Sequence, residues 1–329
     1  VRTAILLAGL WLVSCSDSDV GGPNADGPAS DLDIDGQIAD SRLPDARTDS
    51  AAPDAPPTDG PAPDVGPAPD GGPAAFRVAT LNCHCLIDSP ATRAKGIAAE
   101  IDQLKLHAVG LQEVCQSVDA GGSDNFAQAL AVELQALTGV AWEHRFAKTH
   151  VSWNAYDEGV GLLVPAGQVL DWGEQGLPQG AGPFPRKVIW AKVGSDAGPF
   201  YLYSTHLTIS SDPLDREAQA KAILALVSQH ATSLPQVVVG DFNDWYASPA
   251  VSAMKLGPPA FTESWGAKHP GAANPGLTCC YPSFASRIDY IFVKSSALSS
   301  LDQVALAFDQ LYQGAPLSDH RGLYVQLTP

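Results

Sequence analysis

At 329 residues the chain has room for two domains, but residues 16–75 are Asp, Pro, Gly, Ala and Ser with almost no large apolar side chains, which excludes a second folded core there. The formal net charge of −17 divides unevenly: 1–75 holds three arginines against thirteen aspartates, and 76–329 holds 16 basic against 23 acidic residues, a net of −7. That stretch has no Lys/Arg cluster, which weighs against a tight non-specific grip on polyanions though not against cleavage at a local metal site.

In chain order, Arg2 is a minimal positive start, and Ala4 to Val13 is an apolar run too short to span a bilayer. It ends in Leu12-Val13-Ser14-Cys15, which resembles the bacterial lipobox, whose cysteine is acylated and becomes the new N-terminus. The expectation is a lipoprotein signal peptide over 1–15 with Cys15 as the lipid attachment site, then a disordered linker over 16–75. Repeats such as Ala-Pro-Asp around Asp54, Asp64 and Asp70 keep that linker extended. The protein is therefore expected to be exported and anchored at the bacterial envelope, on the outer membrane or cell surface. The plainer reading is an ordinary signal peptide that happens to hold a cysteine.

From Phe76 to Pro329 the apolar pattern is sustained, and 254 residues suffice for one large core. Phe76–Asn82 alternates as a strand, Thr92–Leu106 has apolar positions at helical spacing, and His107–Glu113 reads as a buried strand. A second helix is predicted over Asn125–Leu137, followed by strands at Val140–Phe146, Gly159–Val164, Val188–Val193 and Phe200–His206. Asp215–His230 predicts a long helix, Gln236–Gly240 a central strand, and Ser248-Pro249 the cap and first turn of a short helix. Strands follow at Arg287–Val293, Gln303–Phe308 and Leu323–Leu327. Strands outnumber helices and do not strictly alternate with them, which points to packed sheets with helices outside rather than a doubly wound sheet.

Export implies an oxidising compartment for the five cysteines beyond Cys15: Cys83, Cys85, Cys115, Cys279 and Cys280. Two bridges would leave one thiol over. Cys115 is expected to pair with Cys83 or Cys85, or with the Cys279-Cys280 pair; spacing does not choose. A cysteine metal site competes poorly, because Cys83-His84-Cys85 lacks the usual two-to-four-residue ligand spacing.

Acids, amides and imidazoles recur at the ends of the apolar strands: Asn82, Glu113, His206, Asp241 with Asn243, Asp289, and Asp319 with His320. One such residue is an ordinary turn former. Together they are the donors that a hard-metal phosphoryl site requires. Asp289 lies among Ile288, Tyr290, Ile291 and Phe292, and a carboxylate buried there needs a partner such as a histidinium.

Thr80-Leu81-Asn82, Leu111-Gln112-Glu113, Ser204-Thr205-His206-Leu207, Gly240-Asp241-Phe242-Asn243, Arg287-Ile288-Asp289-Tyr290 and Ser318-Asp319-His320 resemble, in that order, the motif series of the endonuclease/exonuclease/phosphatase superfamily. Glu158-Gly159-Val160-Gly161 and Arg216-x-x-Gln219 are similar to it as well. The resemblance implies a deoxyribonuclease I-like four-layer α/β sandwich, two mixed sheets face to face with helices outside. It implies a divalent ion, Mg²⁺ or else Mn²⁺ or Ca²⁺, held by Glu113 with help from Asn82 and Asp319. Asp241 would activate the attacking water, Asn243 would bond the phosphate, and His206 and His320 would stabilise transition-state charge, with His320 oriented by Asp289.

The expected function is extracytoplasmic phosphodiester hydrolysis by a monomer, on nucleic acid or a phospholipid or other small diester. The alternatives are a phosphomonoesterase and an anchored binding module that no longer turns over. Against the inositol phosphatases, Ala285–Asp289 lacks their Trp-Cys-Asp-Arg wording; against sphingomyelinases, no long exposed aromatic hairpin is evident. His84, His107, His144, His150, His230 and His269 have no motif support and read as surface or loop residues. Arg186-Lys187 reads equally as facing the phosphate or as a solvated strand end. Trp142, Trp153, Trp172, Trp190, Trp245 and Trp265 read as core or lip residues.

Overall fold

Alternating and continuous apolar runs close into two sheets. In the first, β1 (Phe76–Asn82) and β2 (Ala108–Ser117) are parallel neighbours in the order β11-β14-β1-β2-β4-β3, with β3 (Trp142–Ser152), β4 (Tyr156–Pro165), β11 (Ser300–Ala307) and β14 (Gly322–Thr328) all antiparallel to their neighbours. In the second, β7 (Phe200–His206) and β8 (Gln236–Asp241) are the parallel pair in the order β5-β6-β7-β8-β10-β9. Here β5 (Val169–Gly176), β6 (Lys187–Val193), β9 (Thr262–Glu263) and β10 (Asp289–Lys294) complete the sheet. The computed structural model describes residues 74–230, 233–271, 275–294 and 298–329. The expected signal peptide with Cys15, and residues 16–73 of the expected linker, lie outside them.

Helices begin where the sequence supplies caps. Asn125 accepts from the Ala127 and Gln128 amides to start α2 (Phe126–Thr138), which ends on Gly139 at φ 73°. Asp212 and Ser248 cap α3 (Pro213–Val227) and α4 (Pro249–Leu256), each with proline in the first turn. The first helix, α1 (Pro90–Gln103), also opens on proline, and α5 (Ser264–Lys268) is a single short turn capped by Glu263.

Three apolar layers separate four layers of structure. Phe76, Val78, Val160, Leu162, Ile189, Leu202, Val237, Val239 and Ile291 fill the space between the sheets. Ile97, Ile101, Phe126, Leu130 and Leu134 pack α1 and α2 on the outer face of the first sheet. Ile223, Leu224, Val227, Val251 and Met254 pack α3 and α4 on the second. Residues 237–239 are apolar without interruption because Val237 and Val239 face the other sheet while Val238 faces α3. This is a four-layer α/β sandwich. Between the sheets, a Cβ on Gly110 would lie 2.2 Å from a Val239 methyl, so glycine suits that position.

The sequence did not anticipate β5, the outermost strand of its sheet, where Leu170 and Trp172 are exposed and alternation fails. A two-residue hairpin, β12 (Leu311–Tyr312) and β13 (Ala315–Pro316), is too short to leave a pattern. β3 runs on to Ser152 and β4 starts at Tyr156, beyond the predicted strands, because the two pair with each other past the apolar core.

Candidate active site

Asp241 ends β8 and stands in register with His206 on β7 and with Asp289 on β10. The strands can approach because Gly240 precedes it: at φ 153°, a Cβ there would sit 2.0 Å from the Thr205 carbonyl oxygen. The Asn243 amide donates to Asp241 Oδ1 at 2.8 Å, and Asn82 Nδ2 donates to Oδ2 at 3.1 Å. The same Asn82 amide donates to Glu113 Oε1 at 2.9 Å, so one side chain from the first sheet ties together a carboxylate from each sheet. Burial, and next the Asp289 charge, push the Asp241 carboxyl up to about 6.

Glu113 leaves the ladder at a bulge between Leu111 and Val114, with φ 49°, a conformation that costs free energy in a non-glycine residue. Burial, then the charges of Glu158 and Asp319, push its carboxyl up to about 8. A carboxylate surrounded by like charge, with one amide as its hydrogen-bond partner, fits a hard divalent cation. The Asp319 charge acts on Glu113, and its Oδ1 lies 3.7 Å from His84 Nδ1. Asn82 turns its nitrogen between the two acids while its oxygen accepts from the His84 amide at 3.1 Å.

The two histidines differ. Burial opposes charge on His320, but Asp289, whose Oδ2 accepts from Nδ1 at 2.9 Å, together with Asp241 at 3.9 Å from Nε2, outweighs it and holds the imidazolium well above the ordinary range. His206 is lowered well below that range by burial, then by Arg186 and His320. Its Nε2 accepts from Asn243 Nδ2 at 2.9 Å, which places the proton of the neutral ring on Nδ1. The two rings expected to stabilise transition-state charge thus differ: His320 favours the charged form and His206 the neutral one.

Two further residues belong here, one left open by the sequence and one read as surface or loop. Arg186 is buried, and its Nε has no hydrogen-bond partner among the described residues. Its charge acts on Glu158, Glu113 and Asp241. Of the dipeptide at the start of β6, only Lys187 turns outward, to Glu174 at 2.7 Å. His150, read as a surface or loop residue, is buried: its Nε2 lies 3.0 Å from Ser152 Oγ and 3.6 Å from Glu158 Oε1, and Phe184 stacks on its ring at 4.1 Å. Ser152 in turn donates to Glu158. The Arg-Lys pair beside a strand was a usable signal for Arg186. His150 had none, since its position on β3 depends on how far that hairpin extends.

Of the pairings left open, the structure joins Cys85 to Cys115 and Cys279 to Cys280, leaving Cys83 as a buried thiol that burial pushes up to about 12. The first bridge ties the loop after β1 to β2 two residues beyond Glu113. Arg93 holds the same loop, donating to the carbonyls of Cys83, Cys85, Ile87 and Asp88 at 2.6 to 3.1 Å.

Residues 79–320 match the model of the Endonuclease/Exonuclease/phosphatase family. The chain belongs to this family. Its members hydrolyse phosphate esters, and the gathered acids, amides and imidazoles are donors of that chemistry. No curated protein is similar enough to register as a match. Among solved structures, an endonuclease/exonuclease/phosphatase family protein from Leptotrichia buccalis superposes with a TM-score of 0.62 at 19% identity, over 77% of this chain and 99% of that one. A mannosyl-6-phosphatase from Bacteroides thetaiotaomicron gives 0.56 at 18% identity, over 77% and 99%. TDP2 from D. rerio, complexed with single strand DNA product, gives 0.57 at 18%, over 78% and 100%. At these identities the likeness is one of fold.

Proposed function

We propose that this family member is a divalent-metal-dependent phosphodiesterase working outside the cytoplasm. The observation that carries the reading is the Asn82 amide bridging Glu113 and Asp241, with the charged His320 and neutral His206 on either side of Asp241. Glu113, with Asp319, would hold Mg²⁺ or a similar ion, which when bound supplies Lewis-acid charge at the phosphoryl oxygens. Asp241, raised to about 6, is tuned to accept a proton from the attacking water near neutral pH. Asn243 keeps the neutral His206 in place, and the His320 imidazolium, fixed by Asp289, meets the negative charge that develops on the phosphoryl group. Arg186, unpaired at Nε, stands ready to take a phosphate oxygen.

A diester is favoured over a monoester by the surroundings of the site. Exposed rings stand close along the chain to site residues: Trp245 and Tyr246 after Asn243, and Tyr281, whose amide donates to the Asp319 carbonyl. Such rings suit organic groups on both sides of the phosphate. A binding module without turnover is disfavoured because the complete set of acids and both histidines is present, several of which a non-catalytic descendant could lose. Export and anchoring through Cys15 are supported by the lipobox-like sequence, and the Cys85–Cys115 pair fits an oxidising compartment. The test is a panel of plasmid DNA, RNA, sphingomyelin, phosphatidylinositol and inositol phosphates, each with and without chelator. Chelator-sensitive release from a diester supports the reading; turnover of inositol monophosphates alone overturns the diester assignment.

A further inference from the structure

The loop between α5 and β10 is fastened to the turn before β14. The Tyr281 amide donates to the Asp319 carbonyl at 2.7 Å, the Arg321 amide to the Thr278 carbonyl at 2.8 Å, and Cys279 bridges to His320. Cys279 and Cys280 are joined by a disulfide, and their sulfurs lie within 4.8 Å of an imidazole nitrogen of His320. Cys279 is buried, and Cys280 is half-buried and within reach of solvent. Neither sulfur has a part in the hydrolysis proposed above. His320 commits Nδ1 to Asp289, which leaves Nε2 as its open nitrogen, with Asp241 Oδ2 3.9 Å away.

We propose that Cys279, Cys280 and His320 form a second metal site, for thiophilic ions such as Zn²⁺, which exists only when the Cys279–Cys280 bond is reduced. Two thiolates and one imidazole are a Zn²⁺ donor set; the adjacent cysteines depart from the usual spaced pair, so the site rests on the three-dimensional grouping with His320, with a fourth position open to water or Asp241. Mg²⁺ takes oxygen ligands, so the site discriminates against the ion suited to Glu113. The Asp289 carboxylate on the far ring nitrogen orients the imidazole and strengthens it as a ligand. Opening the site needs an external dithiol: two electrons and two protons pass to the cysteine pair, giving two thiols and the oxidised cyclic dithiol. Zn²⁺ binding then displaces both thiol protons, and the ion occupies a nitrogen of His320 and so stops hydrolysis. That consequence rests on the phosphoesterase reading; the existence of the site does not.

The full chain, reduced by a dithiol with chelator present and then freed of both, is titrated with Co²⁺ while the thiolate-to-cobalt charge-transfer absorption is followed. The expected result is one equivalent bound with that absorption, displaced by one equivalent of Zn²⁺, and no such absorption before reduction. Cys280→Ser should bind on the order of a hundredfold more weakly with a diminished band; His320→Gln, both sulfurs intact, should keep the band but weaken binding by a similar factor. With Mg²⁺, Cys280→Ser should hydrolyse diester at the wild-type rate and resist Zn²⁺ plus dithiol, which silences the wild type. No thiolate band in the reduced wild type overturns the proposal. So does a band undiminished in Cys280→Ser, which would assign the ion to the Cys85, Cys115 and Glu158 group. If the band behaves as expected while no protein hydrolyses any diester, the phosphoesterase reading fails and the metal site stands.

Discussion

Asp289 and His320 act as a unit. Asp289 makes the imidazolium persist, so Asp289→Asn should lower kcat through His320, and the double mutant with His320→Ala should be little worse than His320→Ala alone. Independent, multiplicative losses in kcat would show that Asp289 has a separate role. The pair also has a pH signature. A histidine raised above its unfolded value contributes stability in full below the ordinary imidazole range, and that contribution fades as pH climbs through the raised value. Glu113 shifts stability in the same direction in metal-free protein. With its carboxyl raised to about 8, folding is opposed increasingly as pH rises from the ordinary carboxylate range toward 8. Relative to Glu113→Gln, metal-free wild type should therefore lose stability between pH 5 and 8, as judged by Tm in chelator. Mg²⁺ or Mn²⁺ should raise the wild-type Tm more at pH 8 than at pH 6, where a proton must first leave. Equal rises at both pH values would contradict this. The partnership of Asp289 was readable from the sequence because a carboxylate in an apolar strand demands a counter-charge. His150 was not, because its importance comes from which sheet ends converge, and no local pattern encodes that; for Arg186 the basic pair beside a strand left both readings open.

Elements carry the site by what they leave unpaired and what they fasten. The loop after β1 has no ladder of its own, and its carbonyls are satisfied by Arg93 from α1. Arg93→Leu would strand several buried acceptors and should cost about 3 kcal/mol or more in urea unfolding. Removing the Cys85–Cys115 bridge, which closes a separation of 30 residues, should cost about 3 kcal/mol by the same measurement. Changes within about 0.5 kcal/mol, the range of ordinary surface substitutions, would mean that neither fastening matters. At this scale α2, α4 and β8 were legible: capping residues and an unbroken apolar run each have a local cause. β5 was not, since an edge strand with one partner needs no alternation. The Cys85–Cys115 choice also escaped the sequence, because Cys83 and Cys85 stand equally near β2 until the backbone turns to positive φ at His84 and Cys85.

For the whole molecule, the ordered motifs identified the layered fold more firmly than the element pattern, which only permitted it. Among the described residues no helix is long and apolar enough to cross a membrane. Attachment, if through Cys15, then depends on that residue: wild type should partition into detergent and Cys15→Ser should remain in the aqueous phase. Equal partitioning would remove the anchor from the account. The central claim is that Glu113 and Asp241 make a metal-dependent centre for diester hydrolysis. It is tested most directly by the hydrolysis of bis-p-nitrophenyl phosphate by wild type, Glu113→Gln and Asp241→Asn, with Mg²⁺ and with excess chelator. The account predicts Mg²⁺-dependent turnover by wild type, and a fall in kcat of about a hundredfold or more in each variant with the circular dichroism spectrum retained. Full activity in excess chelator, or in Glu113→Gln, would contradict it.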